Sequence, residues 1–215
     1  SVVTWGSNGR GADSTAVTNA INGPFSLAVT EVFSTKESFA ALREDGSVVT
    51  WGGMAGDSDA VAGQLGSGVA QVIPAQMAFA ALREDGSVVN WGWDLGGGDS
   101  SDPRVTSVIN ASGSFDVTQV FSTDDAFAAL LEDGSVITWG DGQSGGDSGG
   151  VVSGLNADGT PAVKQVFSTG SAFAALREDG SVITWGYGLT GGDSSGVASE
   201  LDADGTPAIT QIFST

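Results

Sequence analysis

The apolar positions of this chain return in one pattern, clearest in Phe173-Ala174-Ala175-Leu176-Arg177-Glu178-Asp179-Gly180-Ser181-Val182-Ile183-Thr184-Trp185-Gly186. The pattern predicts two short strands joined by a tight turn. β-Branched and aromatic residues suit a pleated, half-buried surface. Asp-Gly at the centre supplies the residues that best tolerate the positive φ of a two-residue hairpin turn. Alanine is a poor strand former, so Ala174 and Ala175 predict a second sheet approaching so closely that only a methyl group fits. The unit stands again at 39–52, 79–92 and 127–140, and a partial copy, Ser1-Val2-Val3-Thr4-Trp5-Gly6, opens the chain.

A third strand is predicted at 29–35, Val-Thr-Glu-Val-Phe-Ser-Thr. Its copies are 117–123, 163–169 and 209–215, with a degenerate one at 69–75. Between a Trp-Gly end and the next such strand lies a Gly-rich loop closing on Asp-Ser, then an apolar pair at i, i+4. The pairs are Val17/Ile21, Val61/Leu65, Val105/Ile109, Val151/Leu155 and Val197/Leu201, with Pro103 disturbing the third copy. Asp or Ser ahead of such a pair predicts a capped short helix. Turn-rich loops follow; 66–68 is the short one and explains the 40-residue spacing.

Trp5, Trp51, Trp91, Trp139 and Trp185 are 46, 40, 48 and 46 residues apart. Self-similarity at such a period means stacked units that share a core. The units run approximately 1–35, 36–75, 76–123, 124–169 and 170–215, read as a single repeat domain. There are five copies of the Val-Phe-Ser-Thr strand and five of the Val-Thr-Trp-Gly strand, but only four of Phe-Ala-Ala-Leu. If the ends met, 209–215 and 1–6 would share a blade lacking its middle strand.

Charge narrows the partners. The formal net charge is −19, from 26 acidic and 7 basic residues. A phosphate backbone is held by clustered Lys and Arg, so nucleic acid is excluded as a partner, and anionic membrane surfaces are disfavoured. With 15% charged and 40% hydrophobic residues the chain reads as folded rather than as an acidic tail. It has neither cysteine nor histidine. That removes disulfides, thiolate chemistry and the commonest general base and transition-metal ligand. No apolar run is long enough to span a membrane, so membrane insertion is not expected.

The Asp-Ser pairs, at Asp13, Asp57, Asp99, Asp147 and Asp193, carry two readings. One is helix capping. The other is a ring of cation sites, because a Gly-rich loop offers calcium a carboxylate and free carbonyls. Calcium is thus the candidate cofactor. The Glu-Asp pairs at 44–45, 84–85, 132–133 and 178–179 come one per repeat, as hairpin turns do, and not as an acid–base pair would. Arg43, Arg83 and Arg177 beside them read as surface ion pairs. The repeated tryptophans read as packing residues. Trp93 and Tyr187 lie outside the repeat, in the variable loop, and are the candidates for partner contact, since Trp and Tyr dominate interface hot spots.

Ala-Leu-Arg-Glu-Asp-Gly-Ser-Val-Val-Thr-Trp-Gly resembles the signature of the regulator-of-chromosome-condensation repeat, and residues 60–72 are similar to its connector. The short repeat resembles bacterial members and repeats of large bacterial surface proteins. The family's Gly-His before the Ala-Leu strand is absent. The resemblance implies an all-β fold, a β-propeller of about five short blades, four complete and one divided between the termini; an open β-repeat array is the alternative. It implies a non-enzymatic role: a structural or adhesion module of a secreted or cell-surface protein, or else a specific protein-binding propeller. The four-against-five count adds the expectation of a protein partner, or of self-association through the terminal strands into a filament.

Overall fold

The computed structural model describes residues 2–5, 11, 13–24, 26–99, 116–156, 162–202 and 209–214. By its contacts the chain divides into two compact units, Ser1–Asp102 and Pro103–Thr215. Each holds two three-stranded antiparallel sheets. The first unit contains β1 (Val29–Ser34), β2 (Ser38–Arg43) and β3 (Val48–Gly52), then β4 (Val69–Pro74), β5 (Ala78–Arg83) and β6 (Val88–Gly92). The second contains β7 (Val117–Ser122), β8 (Ala126–Leu131) and β9 (Val136–Gly140), then β10 (Val163–Ser168), β11 (Ala172–Arg177) and β12 (Val182–Gly186). In every sheet the strands lie in sequence order, with the Phe-Ala-Ala-Leu strand in the middle. We number these sheets as blades one to four.

The register is the same in all four blades. Phe39 faces Trp51, Phe79 faces Trp91, Phe127 faces Trp139 and Phe173 faces Trp185. The rings stack with centroids 5.2–5.4 Å apart and planes within 18–25°. Such a pair is worth about 0.5–1.5 kcal/mol beyond the area it buries. The first strand of each blade carries a bulge that the hydrophobic pattern does not announce. It falls between Val29 and Glu31 and recurs at the same place in β4, β7 and β10. The looped-out Thr30 and Thr118 turn their hydroxyls back to the carbonyls of Leu42 and Leu130.

The hairpin turn differs from the two-residue expectation. Arg43 pairs with Ser47 across a three-residue loop, Glu44-Asp45-Gly46, and the Gly46 N–H closes on the Arg43 carbonyl at 2.9 Å. Only the glycine has positive φ, +73°. This is a type I turn followed by a left-handed glycine, a geometry that needs no left-handed Asp. Asp45 instead braces the far side of the loop, where its Oδ1 accepts the Ser47 N–H and hydroxyl. Asp85, Asp133 and Asp179 do the same for Ser87, Ser135 and Ser181. The ion-pair expectation holds directly for Arg83, while Arg43 and Arg177 reach their carboxylates through serine. Arg43 and Arg177 donate through Nε to the serine hydroxyl, at 2.7 and 2.6 Å, so serine relays between guanidinium and carboxylate. Arg83 meets Asp85 directly at 2.8 Å.

Within each unit one blade packs on the next. Ala40 and Leu42 of blade one lie in one cluster with Val69, Val72, Phe79, Ala81 and Trp91 of blade two, with Val61 and Leu65 of the connector filling the seam. In the second unit Ala126, Ala128 and Leu130 meet Val163, Val166, Phe173 and Trp185, with Leu155 in the seam. Ala175 is fully buried, as are Ala40 and Ala128, but Ala174 is only half-buried and lines a cleft, so the close approach of a second sheet holds at Ala175 and at the inner seams and not at Ala174. The short helices are present at Thr18–Asn22, Val152–Leu155 and Ala198–Leu201.

Candidate interaction surfaces

In blades one, three and four the connector is anchored to the last strand by a threonine. Thr50 Oγ1 donates to the Gly56 carbonyl at 2.7 Å and lies 2.8 Å from Ser58 Oγ. Thr138 and Thr184 repeat this with Gly146 and Ser148, and with Gly192 and Ser194. Asn90 replaces threonine in blade two and donates to Gly97 instead. Ser14, Ser58, Ser148 and Ser194 are therefore spent on the strand rather than on capping. The aspartate ahead of it makes the turn: Oδ1 of Asp13, Asp57, Asp147 and Asp193 accepts the backbone N–H two residues on. The Thr15 hydroxyl and then its N–H hold Asp13 below the usual carboxylate range, and the Ser195 N–H and then its hydroxyl do so for Asp193.

As for cations, these four aspartates are exposed and each stands on its own connector. Asp99 is half-buried, and the rest of its connector lies outside the described residues, with Val105 and Ile109. Among the described residues no three Asp or Glu side chains are grouped as a metal site requires. One carboxylate stands apart. Burial, and then the charges of Asp124 and Asp141, push the Asp125 carboxyl up, and its buried Oδ1 has no partner among the described residues. The repeat pattern gives no sign of it.

A second set of contacts crosses each seam within a unit. The Trp91 indole N–H donates to the Ala55 carbonyl in the preceding connector at 3.0 Å, and Trp185 donates to Gly145 at 3.1 Å. Trp51 does the same to Gly11 at 3.0 Å. The receiving glycines lie flat under the next phenylalanine: a Cβ on Gly11 or Gly145 would come within 2.6 Å of the Phe39 or Phe173 ring. A backbone bond completes the seam. Val69 N–H donates to the Gly46 carbonyl at 2.8 Å, and Val163 N–H to Gly134 at 2.9 Å.

Trp93 and Tyr187 occupy equivalent places, directly after the Trp-Gly end of blades two and four, in different units. Trp93 is half-buried; Tyr187 is 44% exposed and leads into Leu189, 87% exposed. Sequence reasoning missed other exposed apolar residues, among them Trp5, Val32, Leu189 and Phe213. Three of them, Trp5, Val32 and Phe213, are motif residues at the outermost copies, and that position was the available signal. Residues 2–5 line an apolar groove of about 210 Å3 with Val32, Phe39 and Trp51.

A family model for the PKD domain matches residues 60–126, less than a third of the chain. The matched stretch runs through blade two into blade three and coincides with no single repeat. No curated protein sequence matches the chain. Among solved structures the chain is similar to human WBSCR16, at 21% identity and a TM-score of 0.52, over 77% of this chain and 49% of that one. It is similar to yeast RCC1 (Prp20) solved in complex with Kap60, at 16% identity and a TM-score of 0.52, over 75% and 44%. A second structure of Prp20p, from Saccharomyces cerevisiae, matches at 16% identity and a TM-score of 0.52, over 85% and 49%. The chain spans about half the length of these structures. The likeness shows the fold: all-β, built of propeller blades as in these structures, with four three-stranded blades among the described residues.

Proposed function

We propose that the chain is a non-catalytic structural or adhesion module of a secreted or cell-surface protein, acting through protein–protein contacts at its apolar blade faces. One observation carries this reading. The repeated polar side chains of the hairpins and connectors are spent on holding the scaffold, whereas large apolar side chains are left exposed at the outer blades, among them Val3, Trp5, Val32, Leu189 and Phe213. Exposed apolar surface of this kind marks contact sites. The match to the PKD domain, a module of extracellular proteins, supports the surface setting. No helix among the described residues is long and apolar enough to cross a membrane.

The test is localisation and accessibility in the source cells. Antibody against the chain is expected to stain intact cells, and protease added outside is expected to remove the signal. A signal confined to the interior overturns the surface reading.

The alternative is a specific protein-binding propeller, favoured by Tyr187 beside Leu189 on one connector. Yeast RCC1 was solved bound to Kap60, and Prp20p is described as binding Gsp1p and histones. A partner of this chain isolated from the source should then lose affinity at least about tenfold on Tyr187→Ala, as hot-spot aromatics do. Unchanged affinity removes Tyr187 from the contact.

A further inference from the structure

We propose that the second unit docks a protein segment presenting lysine or arginine beside an apolar residue, on the rim that Tyr187 and Leu189 form with Asp124 and Asp125 of the neighbouring turn. This deepens the protein-binding reading above, on which it rests, and names the chemistry of the partner.

The rim has the same backbone in every blade. The residue after Trp-Gly donates its N–H to a carbonyl of the turn between the first two strands. Gly53 donates to Glu37 at 2.7 Å, Trp93 to Met77 at 3.0 Å, Asp141 to Asp125 at 2.8 Å and Tyr187 to Ser171 at 2.9 Å. A backbone bond asks nothing of the side chains, and at these positions the side chains abandon the repeat. Turns of adjacent blades are joined as well. Asp124 N–H donates to the Gly170 carbonyl at 2.9 Å, as Lys36 N–H does to that of Gln76. The exposed Asp124 carboxylate thus lies against blade four, where a Cβ on Gly170 would stand 3.4 Å from its Oδ2. Gly170 is next to Ser171, whose carbonyl holds Tyr187. Carboxylate, tyrosine and Leu189 therefore share one edge of the unit.

This edge is open whatever stands beyond blade four. Gln143, the counterpart of Leu189 on the connector of blade three, is exposed although blade four fills its seam and Gly145 lies under Phe173. Tyr187 at 44% and Leu189 at 87% exposure offer an aromatic and an apolar contact. Charge selects the occupant. The cations of this unit among the described residues are Lys164 and Arg177. Arg177 pairs with Val163, so both stand at the hairpin end of blade four, away from the turn that carries Ser171. After burial, the charges of Asp124 and Asp141 are what raise Asp125, so like charge is crowded at the rim and an incoming cation relieves it. A lysine or arginine can also lie on the face of the Tyr187 ring while its apolar neighbour covers Leu189. In the first unit the matching turn carries Lys36 in place of Asp124, so the same backbone there does not make an acidic edge.

A display library of random peptides is panned on the full chain, and enriched peptides are synthesised and titrated by calorimetry. The site variants are Tyr187→Ala and the double variant Asp124→Asn, Asp125→Asn. A second double variant, Asp59→Asn, Glu200→Gln, removes as much charge from exposed positions elsewhere. Near-ultraviolet circular dichroism checks that all three keep the fold. Enriched peptides are expected to carry lysine or arginine beside an aromatic or aliphatic residue. Their affinity should fall at least about tenfold on each site variant and hold on the charge control. Peptides without a basic residue, or peptides that either site variant leaves unaffected, overturn the proposal and leave the protein-binding reading standing. Equal loss on the charge control also overturns it, as general attraction to an acidic chain. A library that yields no binder overturns both.

Discussion

β1 and β4 carry the same Val-x-x-Val spacing, yet Val72 is 2% exposed and Val32 is 46% exposed. The difference lies outside the strands. Val72 faces Ala40 and Leu42 of the blade before it, whereas Val32 faces the groove lined by residues 2–5. The same holds for tryptophan: Trp91 is stacked, buried and bonded across a seam, and Trp5 is exposed. A blade is encoded within itself, but its faces become core only where a neighbour lies against them.

The largest expected effect sets the two tryptophans against each other. Trp91→Ala should destabilise by about 3–5 kcal/mol, since it removes a large buried ring. Trp5→Ala should stay within about 0.5 kcal/mol of the parent at concentrations where the chain is monomeric. Urea unfolding measures both, and equal losses would break the comparison. The glycines come next. Gly145→Ala and Gly191→Ala each force alanine into a left-handed conformation, at about 1–2 kcal/mol. Gly145→Ala also drives a methyl into the Phe173 ring, so it should lose clearly more in the same unfolding experiment. Thr138→Val leaves buried partners of its hydroxyl unsatisfied and should cost about 1–3 kcal/mol. Thr184→Val, on the more open connector, should cost less, read as a smaller fall in Tm.

The pH response separates the repeated carboxylates from the single one. Serine hydroxyl bonds hold Asp45, Asp85 and Asp179 below the usual carboxylate range. A depressed folded value stabilises above the unfolded pKa, and that stability is lost as pH falls through the folded one. Tm should therefore drop in acid. Asp125 is raised, so its contribution has the opposite sign, present in acid and lost as pH rises. Asp125→Asn should raise Tm at neutral pH and leave it unchanged in acid. The smallest effect concerns calcium. The carboxylates of Asp13, Asp57, Asp147 and Asp193 already hold a backbone N–H, so the expected Tm shift on adding millimolar calcium is none. A rise that a chelator reverses would put a cation at Asp13, Asp57, Asp99, Asp147 or Asp193.

Legibility follows locality. Phe173 to Gly186 reads as a hairpin because its turn and its β-branched and aromatic flanks lie next to one another in the chain. The length of its turn does not read, because Asp-Gly alone does not tell a two-residue turn from a three-residue loop. Asp45 serves Ser47 rather than a left-handed backbone. The bulges at Thr30 and its counterparts are invisible in sequence, since an extra residue changes register without changing composition. Trp93 and Tyr187 stand out because they break the repeat. Trp5 and Phe213 do not, because they obey it.

The sequence by itself determined the blade: three strands, the turn between the last two and the repeat that makes four copies alike. These arise from contacts near in the chain and repeated in each copy. Only the tertiary structure decided which copies of one motif are core and which are surface. Burial depends on what stands across the seam, and identical residues at Trp5 and Trp91 stand opposite different neighbours.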